Sequence, residues 1–283
     1  MEALCSAIVS EIFLRKVYTG NEIIESIYFG GGTPSLLPDL LLARMMNALN
    51  SQFSIAANAE ITLEANPDDI NPQKIRSWKS MGINRLSIGL QSFNDAELKW
   101  MNRAHNARQS SDSVKMAQDA GLDNLTIDLI YGSKFQTESS WINTLEKAVD
   151  LKTKHVSAYN LTIENKTVLG LLHQRGKEPA VNEELSSRQF MTMAQVFGEA
   201  GFIHYEVSNF GQPGFFAKHN SNYWLQKTYL GLGPSAHSFN GVSRQWNVKN
   251  NPVYIRAISE GTSFSEVEEL SVNDRYNEYV LTR

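Results

Sequence analysis

Short apolar segments alternate with helical patterns over residues 1–210, and this alternation restricts the fold more than any other property of the sequence. Six segments rich in β-branched or aromatic residues are predicted as strands, at residues 26–29, 59–64, 85–90, 124–130, 155–161 and 202–207. Helices are predicted at residues 3–16, from about residue 38, at 71–81 and at 182–200. This order predicts an α/β fold with right-handed crossovers and a parallel sheet. A closed sheet would give a TIM-like barrel, and an open sheet would give a doubly wound fold.

The alternation ends near residue 210, where a stretch rich in aromatic residues and glycine begins. The sequence therefore predicts a barrel domain at residues 1–210 and a distinct C-terminal portion at residues 211–283. Within that portion, the acidic segment at residues 263–270 is predicted to be helical. A parallel barrel should have a strand before the helix at residues 3–16, so we expect a partial (β/α) barrel that lacks its first strand.

Charge and hydropathy restrict the partners of this chain. The 26 lysines and arginines stand against 30 acidic residues and give a formal net charge of −4, which provides no electrostatic footprint for nucleic acid or an acidic membrane surface. No apolar stretch approaches the length of a transmembrane segment, and the N-terminus lacks the pattern of a signal peptide. We therefore expect a cytoplasmic protein whose ligand is a small molecule.

A run of glycines follows the first predicted strand, in the order Gly30, Gly31, Gly32, Thr33 and Pro34. Glycine accepts a positive φ and lets backbone N–H and C=O groups approach a ligand closely. The same residues would also suit a simple tight turn before the next helix. A Walker phosphate loop is disfavoured because the Gly-Lys-Ser/Thr ending is missing.

Polar residues recur near the C-terminal ends of the predicted strands, where barrel enzymes assemble their sites. Glu64 and Gln91 follow two apolar runs, and Asp128 lies inside a third. Carboxylates here could accept hydrogen bonds from ribose hydroxyls or an ammonium group, and Arg103 could bind a carboxylate. The alternative is that these residues pair with one another across the barrel mouth.

A second group of candidate residues lies in the C-terminal portion, at residues 219–224 and 229–238. Imidazole can ligate haem iron, and aromatic rings can cover a porphyrin face, so His219, Tyr223 and Trp224 would suit a tetrapyrrole. The same residues would equally suit a loop in which His and Trp pack against the protein.

Taken together, the motifs resemble those of the radical S-adenosylmethionine proteins of the HemN/HemW group. The resemblance extends from residue 3 to residue 283 and is carried by Tyr-Phe-Gly-Gly-Gly-Thr-Pro at 28–34, Glu-Ala-Asn-Pro at 64–67, Gly-Ile-Asn-Arg-Leu-Ser-Ile-Gly-Leu-Gln-Ser-Phe at 82–93, Asn-Arg-Ala-His at 102–105 and Ile-Asp-Leu-Ile-Tyr-Gly at 127–132. The segment His-Asn-x-x-Tyr-Trp at 219–224 is similar to the haem-binding signature of the HemW-type members.

The resemblance implies two sets of binding residues. The S-adenosylmethionine positions are Gly31, Gly32, Thr33, Glu64, Gln91, Arg103 and Asp128. The haem positions are His219, Asn220, Tyr223 and Trp224. The resemblance also implies a radical S-adenosylmethionine barrel joined to the start of a HemN-like C-terminal domain, and a chaperone that passes haem to an acceptor protein. Dimer formation stays open.

The sequence departs from the family in its cysteines. Family members carry Cys-x-x-x-Cys-x-x-Cys after the first strand and bind a 4Fe-4S cluster through it, whereas Cys5 is the one cysteine of this chain. Radical cleavage of S-adenosylmethionine needs an electron from that cluster, so we expect no radical chemistry from the chain as written. We therefore infer a fragment or a misassigned start site, with a natural clusterless paralogue as the alternative.

Three functions follow from these expectations. The first is a haem chaperone, which is a binding protein on an enzyme fold. The second is an oxygen-independent coproporphyrinogen III oxidase, which would convert two propionates to vinyl groups. The third is an ordinary TIM-barrel enzyme that binds phosphate, which explains the acids at the strand ends but not all the motifs together.

Overall fold

A computed structural model describes residues 1–20 and 22–282, and its elements follow the predicted order. The strands are Ile24–Phe29 (β1), Ile55–Ala65 (β2), Arg85–Gln91 (β3), Leu125–Tyr131 (β4), His155–Asn160 (β5), Ile203–Glu206 (β6), Asn209–Gly211 (β7), His237–Phe239 (β8), Ser243–Asn247 (β9) and Ser265–Glu269 (β10). The helices are Glu2–Leu14 (α1), Asp39–Gln52 (α2), Pro72–Ser80 (α3), Asp95–Trp100 (α4), Ala107–Asp119 (α5), Glu138–Asp150 (α6), Val168–Gln174 (α7), Glu183–Glu199 (α8), Lys218–Trp224 (α9), Asn251–Glu260 (α10) and Val272–Leu281 (α11). All six predicted strands are confirmed, as β1 to β6.

The chain forms two compact units. The first unit consists of Met1–Tyr28, Leu37–Ile61 and Lys218–Arg283, and the second consists of Phe29–Leu36 and Thr62–Ala217. The division into domains at residues 1–210 and 211–283 stays a prediction. Within residues 1–20 and 22–282, no helix combines the length and the apolar character that crossing a membrane requires.

The larger sheet has the hydrogen-bonded order β1-β2-β3-β4-β5-β7-β6. The pairs β2–β3, β3–β4 and β4–β5 are parallel, as predicted. Strands that are consecutive in the chain are neighbours from β1 to β5, whereas a doubly wound sheet reverses its strand order at a switch point. The topology is therefore that of a β/α barrel. Every residue of β3 is buried, as expected for a parallel strand covered on both faces.

The last two strands of this sheet are antiparallel, which corrects the expectation of a wholly parallel sheet. β6 pairs with β7, and β7 pairs with β5, both in antiparallel register. Two residues, Val207 and Ser208, separate β6 from β7. A parallel connection needs a crossover of about a dozen residues, so a link this short makes a hairpin.

The core of the second unit is formed by the sheet and the helices that pack on it. Trp78 from α3, Trp141 from α6 and Phe197 from α8 are among its largest fully buried side chains. The indole N–H of Trp141 donates to the backbone oxygen of Gln189 in α8 at 2.9 Å, so this buried polar group has a partner. Phe197 packs against Phe202 and Phe210, with ring centroids 5.4 and 5.1 Å apart.

The first unit contains α1, α2 and α10 together with the antiparallel sheet β10-β9-β8. Glu11 of α1 is fully buried and accepts hydrogen bonds from the backbone of Gly233, the amide of Asn247 and the hydroxyl of Tyr254. The predicted helix at residues 263–270 is wrong, because residues 265–269 pair antiparallel with β9 as β10. Pairing with an available strand overrides the weak helical preference of a glutamate-rich segment.

Candidate functional site

The glycine-rich turn joins β1 to a 3-10 helix at Pro34–Leu36. Gly31 and Gly32 have φ of 75° and 65°, a region that other residues enter at a cost of about 1–2 kcal/mol. In the described chain, nothing lies within 4 Å of the position that a Cβ atom would take at either glycine. The Gly31 N–H donates to Glu64 Oε2 at 3.1 Å, and Thr33, which follows Gly32, is half-buried. The turn therefore presents open backbone beside a carboxylate.

Two carboxylates lie near each other within the second unit. Glu64 is near the end of β2, and Asp128 lies in β4 with its carboxylate 3.3 and 3.4 Å from the hydroxyl of Ser87. Burial and then the neighbouring charge of Glu64 raise the pKa of Asp128 to about 7. The Asp128 carboxyl group therefore titrates close to neutral pH.

Gln91 and Arg103 each leave a polar atom unsatisfied. Gln91 is buried and has φ of 60°, and the β3–β4 ladder shifts register between Gly89 and Gln91. Its Oε1 has no hydrogen-bond partner within the described residues, and the same is true of Arg103 Nε. Burial lowers the pKa of Arg103, while the charges of Asp128 and then Asp68 oppose that shift. Unsatisfied buried groups are costly in a folded protein, so these two atoms suit a ligand that is not part of the chain.

The sequence reasoning missed Tyr159, at the end of β5. Desolvation of its hydroxyl, and then the neighbouring charge of Asp128, raise the pKa of Tyr159 to about 12. The side chain is 47% exposed, so a ligand near Asp128 could reach it. The available signal was an aromatic residue near the C-terminal end of a predicted barrel strand, as for the polar candidates. The structure thus brings Gly31, Glu64, Asp128 and Arg103 into mutual contact or electrostatic range in one unit.

This set of groups matches a zwitterion with hydroxyls. The two carboxylates and the amide oxygen of Gln91 are acceptors for ammonium or hydroxyl hydrogens. The guanidinium of Arg103 is a donor for a carboxylate. The open turn at Gly31 and Gly32 offers backbone groups without a Cβ in the way.

The second group of candidate residues lies on α9, in the first unit. Glu60 accepts hydrogen bonds from the backbone N–H groups of Lys218 and His219, at 3.2 and 3.1 Å. These are two of the N–H groups that a helix leaves unsatisfied at its start, so Glu60 anchors this end of α9. The anchor fixes the backbone at His219.

The imidazole of His219 is held on three sides. Its ring stacks on Tyr28 with centroids 4.9 Å apart, Nδ1 is 3.2 Å from the hydroxyl of Ser26, and Nε2 is 3.2 Å from the hydroxyl of Tyr223. Burial lowers the pKa of His219, opposed by the charge of Glu60, so the ring is neutral at physiological pH. A neutral imidazole is the form that ligates metals.

Tyr223, Trp224 and Asn220 of this group offer exposed aromatic rings and polar groups to a ligand. The side chains of Tyr223 and Trp224 are 43% and 37% exposed. Desolvation of its hydroxyl and then the neighbouring Tyr229 raise the pKa of Tyr223 to about 12, which keeps it a neutral hydrogen-bond donor. Asn220 Nδ2 is buried and finds no acceptor in the part of the chain that the structure describes. The structure therefore places His219, Asn220, Tyr223 and Trp224 on one short helix, with His219 and Tyr223 in contact.

The residues present do not fit an iron–sulfur cluster. Cys5 is buried in α1, and its Sγ lies 3.5 Å from the backbone oxygen of Leu41. Among residues 1–20 and 22–282, no group of three or more His, Cys, Asp or Glu side chains could hold a metal ion.

Comparisons with known proteins identify the class. A model of the Radical SAM superfamily matches residues 9–148. The solved structure of coproporphyrinogen III oxidase (HemN) from Escherichia coli, a radical SAM enzyme, matches with a TM-score of 0.85 at 23% identity, covering 99% of this chain and 68% of that chain. The predicted fold class, an α/β TIM-like barrel of the radical S-adenosylmethionine type, is confirmed.

Sequence relatives identify the family within that class. The chain is 37% identical to the heme chaperone HemW of Lactococcus lactis over 236 residues, which is 83% of this chain and 62% of that protein. It is 31% identical to the heme chaperone HemW of Bacillus subtilis over 275 residues, which is 96% of this chain and 73% of that protein. The chain belongs to the HemN/HemW family of radical S-adenosylmethionine proteins. It spans less than two thirds of the length of the Lactococcus relative.

Proposed function

We propose that this chain binds haem for transfer to an acceptor protein, as a chaperone of the HemW type. The single observation that carries the proposal is α9, where a neutral, stacked imidazole contacts the exposed ring of Tyr223 and the exposed Trp224 lies on the same helix. Haem needs an axial ligand and apolar cover for its faces, and His219 with Tyr223 and Trp224 offers both. The HemW proteins to which the chain is similar are named as heme chaperones.

Haem enters this proposal as cargo. The buried Asn220 amide, which lacks an acceptor in the described chain, suits a donor to a haem propionate. A cytoplasmic location, an acceptor protein and a possible dimer belong to the same proposal. The formal net charge of −4 gives no electrostatic support for nucleic-acid binding as a competing function.

Absorbance titration with haem tests the proposal. The purified chain should develop a Soret band at stoichiometric haem, and His219→Ala should weaken binding at least about tenfold, because the axial ligand is lost. His204→Ala is the control, since His204 is an exposed histidine outside the candidate residues. Equal affinity for haem in the His219→Ala variant and the wild type would refute the assigned site.

We also propose that the second unit binds S-adenosylmethionine. The open turn at Gly31, Gly32 and Thr33 would offer its backbone N–H and C=O groups to the ligand. Glu64 and Asp128 would accept hydrogen bonds from the ammonium group and the ribose hydroxyls of the ligand, and Arg103 would bind its carboxylate. Gln91 Oε1 and Arg103 Nε, unsatisfied within residues 1–20 and 22–282, favour a ligand here. When bound, S-adenosylmethionine supplies a sulfonium centre, and the residues of the chain hold and orient it.

Isothermal titration with S-adenosylmethionine tests this second site. Asp128→Asn should reduce affinity by about tenfold or more, since a charge-assisted hydrogen bond is worth about 1.5–3 kcal/mol. Asp123→Asn is the control, because Asp123 is an exposed acid just before the same strand.

A further inference from the structure

The two ring nitrogens of His219 contact hydroxyl groups of different kinds. Nδ1 is 3.2 Å from the aliphatic hydroxyl of Ser26 on β1, and Nε2 is 3.2 Å from the phenolic hydroxyl of Tyr223. A neutral imidazole has one N–H donor and one lone-pair acceptor, so one hydroxyl accepts from the ring and the other donates to it. The choice decides which nitrogen can later bind a metal.

The chemistry of the two hydroxyls decides this choice. A phenol is far more acidic than an aliphatic alcohol, and its oxygen lone pair is delocalised into the ring. Tyr223 is therefore the better donor, and Ser26 is the better acceptor. The favoured arrangement has Nδ1–H donating to Ser26 Oγ and the Tyr223 O–H donating to Nε2.

We propose that Ser26 is a positioning residue for the haem ligand: by accepting the Nδ1 hydrogen it keeps the Nε2 lone pair available for iron. This inference rests on the proposed haem-binding function and adds the group that orients and tunes its axial ligand. Metal-ligating histidines commonly donate their second N–H to a carboxylate, a backbone carbonyl or water, which fixes the tautomer and makes the ligand more basic, and the Ser26 hydroxyl oxygen would take that place here. Tyr223 occupies the lone pair until haem displaces its hydroxyl.

Two further contacts hold the ring and the backbone of His219 in place. Tyr28, two residues from Ser26 on β1, stacks on the ring with an interplanar angle of 23°. Glu60 anchors the backbone N–H of His219. With the ring plane and the backbone both fixed, Ser26 remains opposite Nδ1. The buried Asn220 amide, for which the described residues offer no acceptor, is a second group on α9 that suits a ligand.

The tautomer can be measured without haem. In a protein carrying ¹⁵N-labelled histidine, long-range ¹H–¹⁵N correlation spectra separate protonated from unprotonated ring nitrogens. We expect His219 to be protonated at Nδ1 in the wild type, with its peaks assigned by their loss in His219→Ala. A wild-type spectrum with the proton on Nε2 would overturn the proposal.

Substitutions at Ser26 test the link to haem. Ser26→Ala should weaken haem binding about tenfold, in line with other residues that orient metal ligands. In the ferrous haem complex, it should also lower the iron–histidine stretching frequency measured by resonance Raman spectroscopy, because the ligand becomes less basic. Ser51→Ala, which removes a hydroxyl bonded to the Ala48 backbone in the same unit, should change neither quantity.

Ser26→Thr and Ser26→Val form a second matched pair, since threonine and valine have nearly the same shape and both suit a strand. The Ser26→Thr variant should keep the wild-type haem affinity and iron–histidine stretching frequency. In the Ser26→Val variant both should be lower. If Ser26→Ala or Ser26→Val folds but matches the wild type in both measurements while His219→Ala loses haem, the role of Ser26 is wrong and the haem site stands. If His219→Ala also retains haem, the proposed function itself fails.

Discussion

Replacing Asp128 by asparagine should stabilise the folded protein while it removes an acceptor from the candidate nucleotide site. Burial and the charge of Glu64 raise the pKa of Asp128 from 3.8 to about 7. A shift of about three pKa units corresponds to about 4 kcal/mol for ionising this group in the fold. Solvent and side-chain relaxation reduce that penalty, so we expect asparagine to add about 2 kcal/mol at pH 8.

The stabilisation should depend on pH in a defined direction. Below about pH 4, Asp128 is protonated in both the folded and the unfolded chain, so its charge affects neither state. Between about pH 4 and pH 7, the unfolded chain releases the proton first, and the free energy of unfolding falls. Above pH 7 the penalty is constant. The gain from Asp128→Asn should therefore be absent near pH 4 and complete by pH 8.

Thermal and urea unfolding at pH 5 and pH 8 measure this effect. A gain of about 2 kcal/mol in a chain of this size should raise the melting temperature by about 3 °C at pH 8. Asp123→Asn serves again as the exposed control. If Asp128→Asn destabilises the protein equally at both pH values, the carboxylate is ionised and stabilised by its partners, and the assignment of a destabilised functional acid is wrong.

Three further changes have expected outcomes. His155 is buried between Thr126 and Tyr205, and burial lowers its pKa well below the usual value. Because only the unfolded chain then takes up the proton, the free energy of unfolding should fall as the pH drops below about 6.5. Urea unfolding at pH 7.5 and 5.5 would measure this fall. Gly31→Ala should reduce stability by about 1 kcal/mol because φ is 75°, and titration should also show weaker S-adenosylmethionine binding. Tyr223→Phe removes the hydroxyl from Nε2, a hydrogen bond worth about 1 kcal/mol, so stopped-flow absorbance should show haem associating about fivefold faster. A slower association would contradict the view that this hydroxyl caps the ligand.

The order of the elements was predictable because periodicity and turn residues are local properties. The strand at β3 reads directly from an apolar run bounded by polar residues, and α8 reads from its spacing and the glycine that follows. The strand β10 was not predictable in this way, since a glutamate-rich segment extends only because β9 is available to pair with it. The antiparallel β6–β7 hairpin is set by a link of two residues, which is a signal that sequence reasoning can use.

The candidate site was predictable only where chemistry follows from position along a strand. Glu64 and Asp128 come within electrostatic range because parallel strands end at the same edge of a sheet, and Gln91 ends the strand between theirs. Tyr159 carried a positional signal, because it is an aromatic residue near the C-terminal end of a predicted strand. Ser26 was not predictable, because its role depends on the direction of its side chain. Ser26 lies far from His219 in the chain, and the contact between their side chains exists only in the fold.

The unsatisfied groups connect stability to function in both units. Folding alone favours a partner for every buried polar atom, yet Gln91 Oε1, Arg103 Nε and Asn220 Nδ2 find none among residues 1–20 and 22–282. Asp128 adds a carboxylate that the fold destabilises in its charged form. These groups make the ligand-free protein less stable and give an incoming ligand hydrogen bonds that need no rearrangement. A ligand that binds them should therefore raise the free energy of unfolding, whereas one that binds elsewhere in the two units leaves these penalties in place.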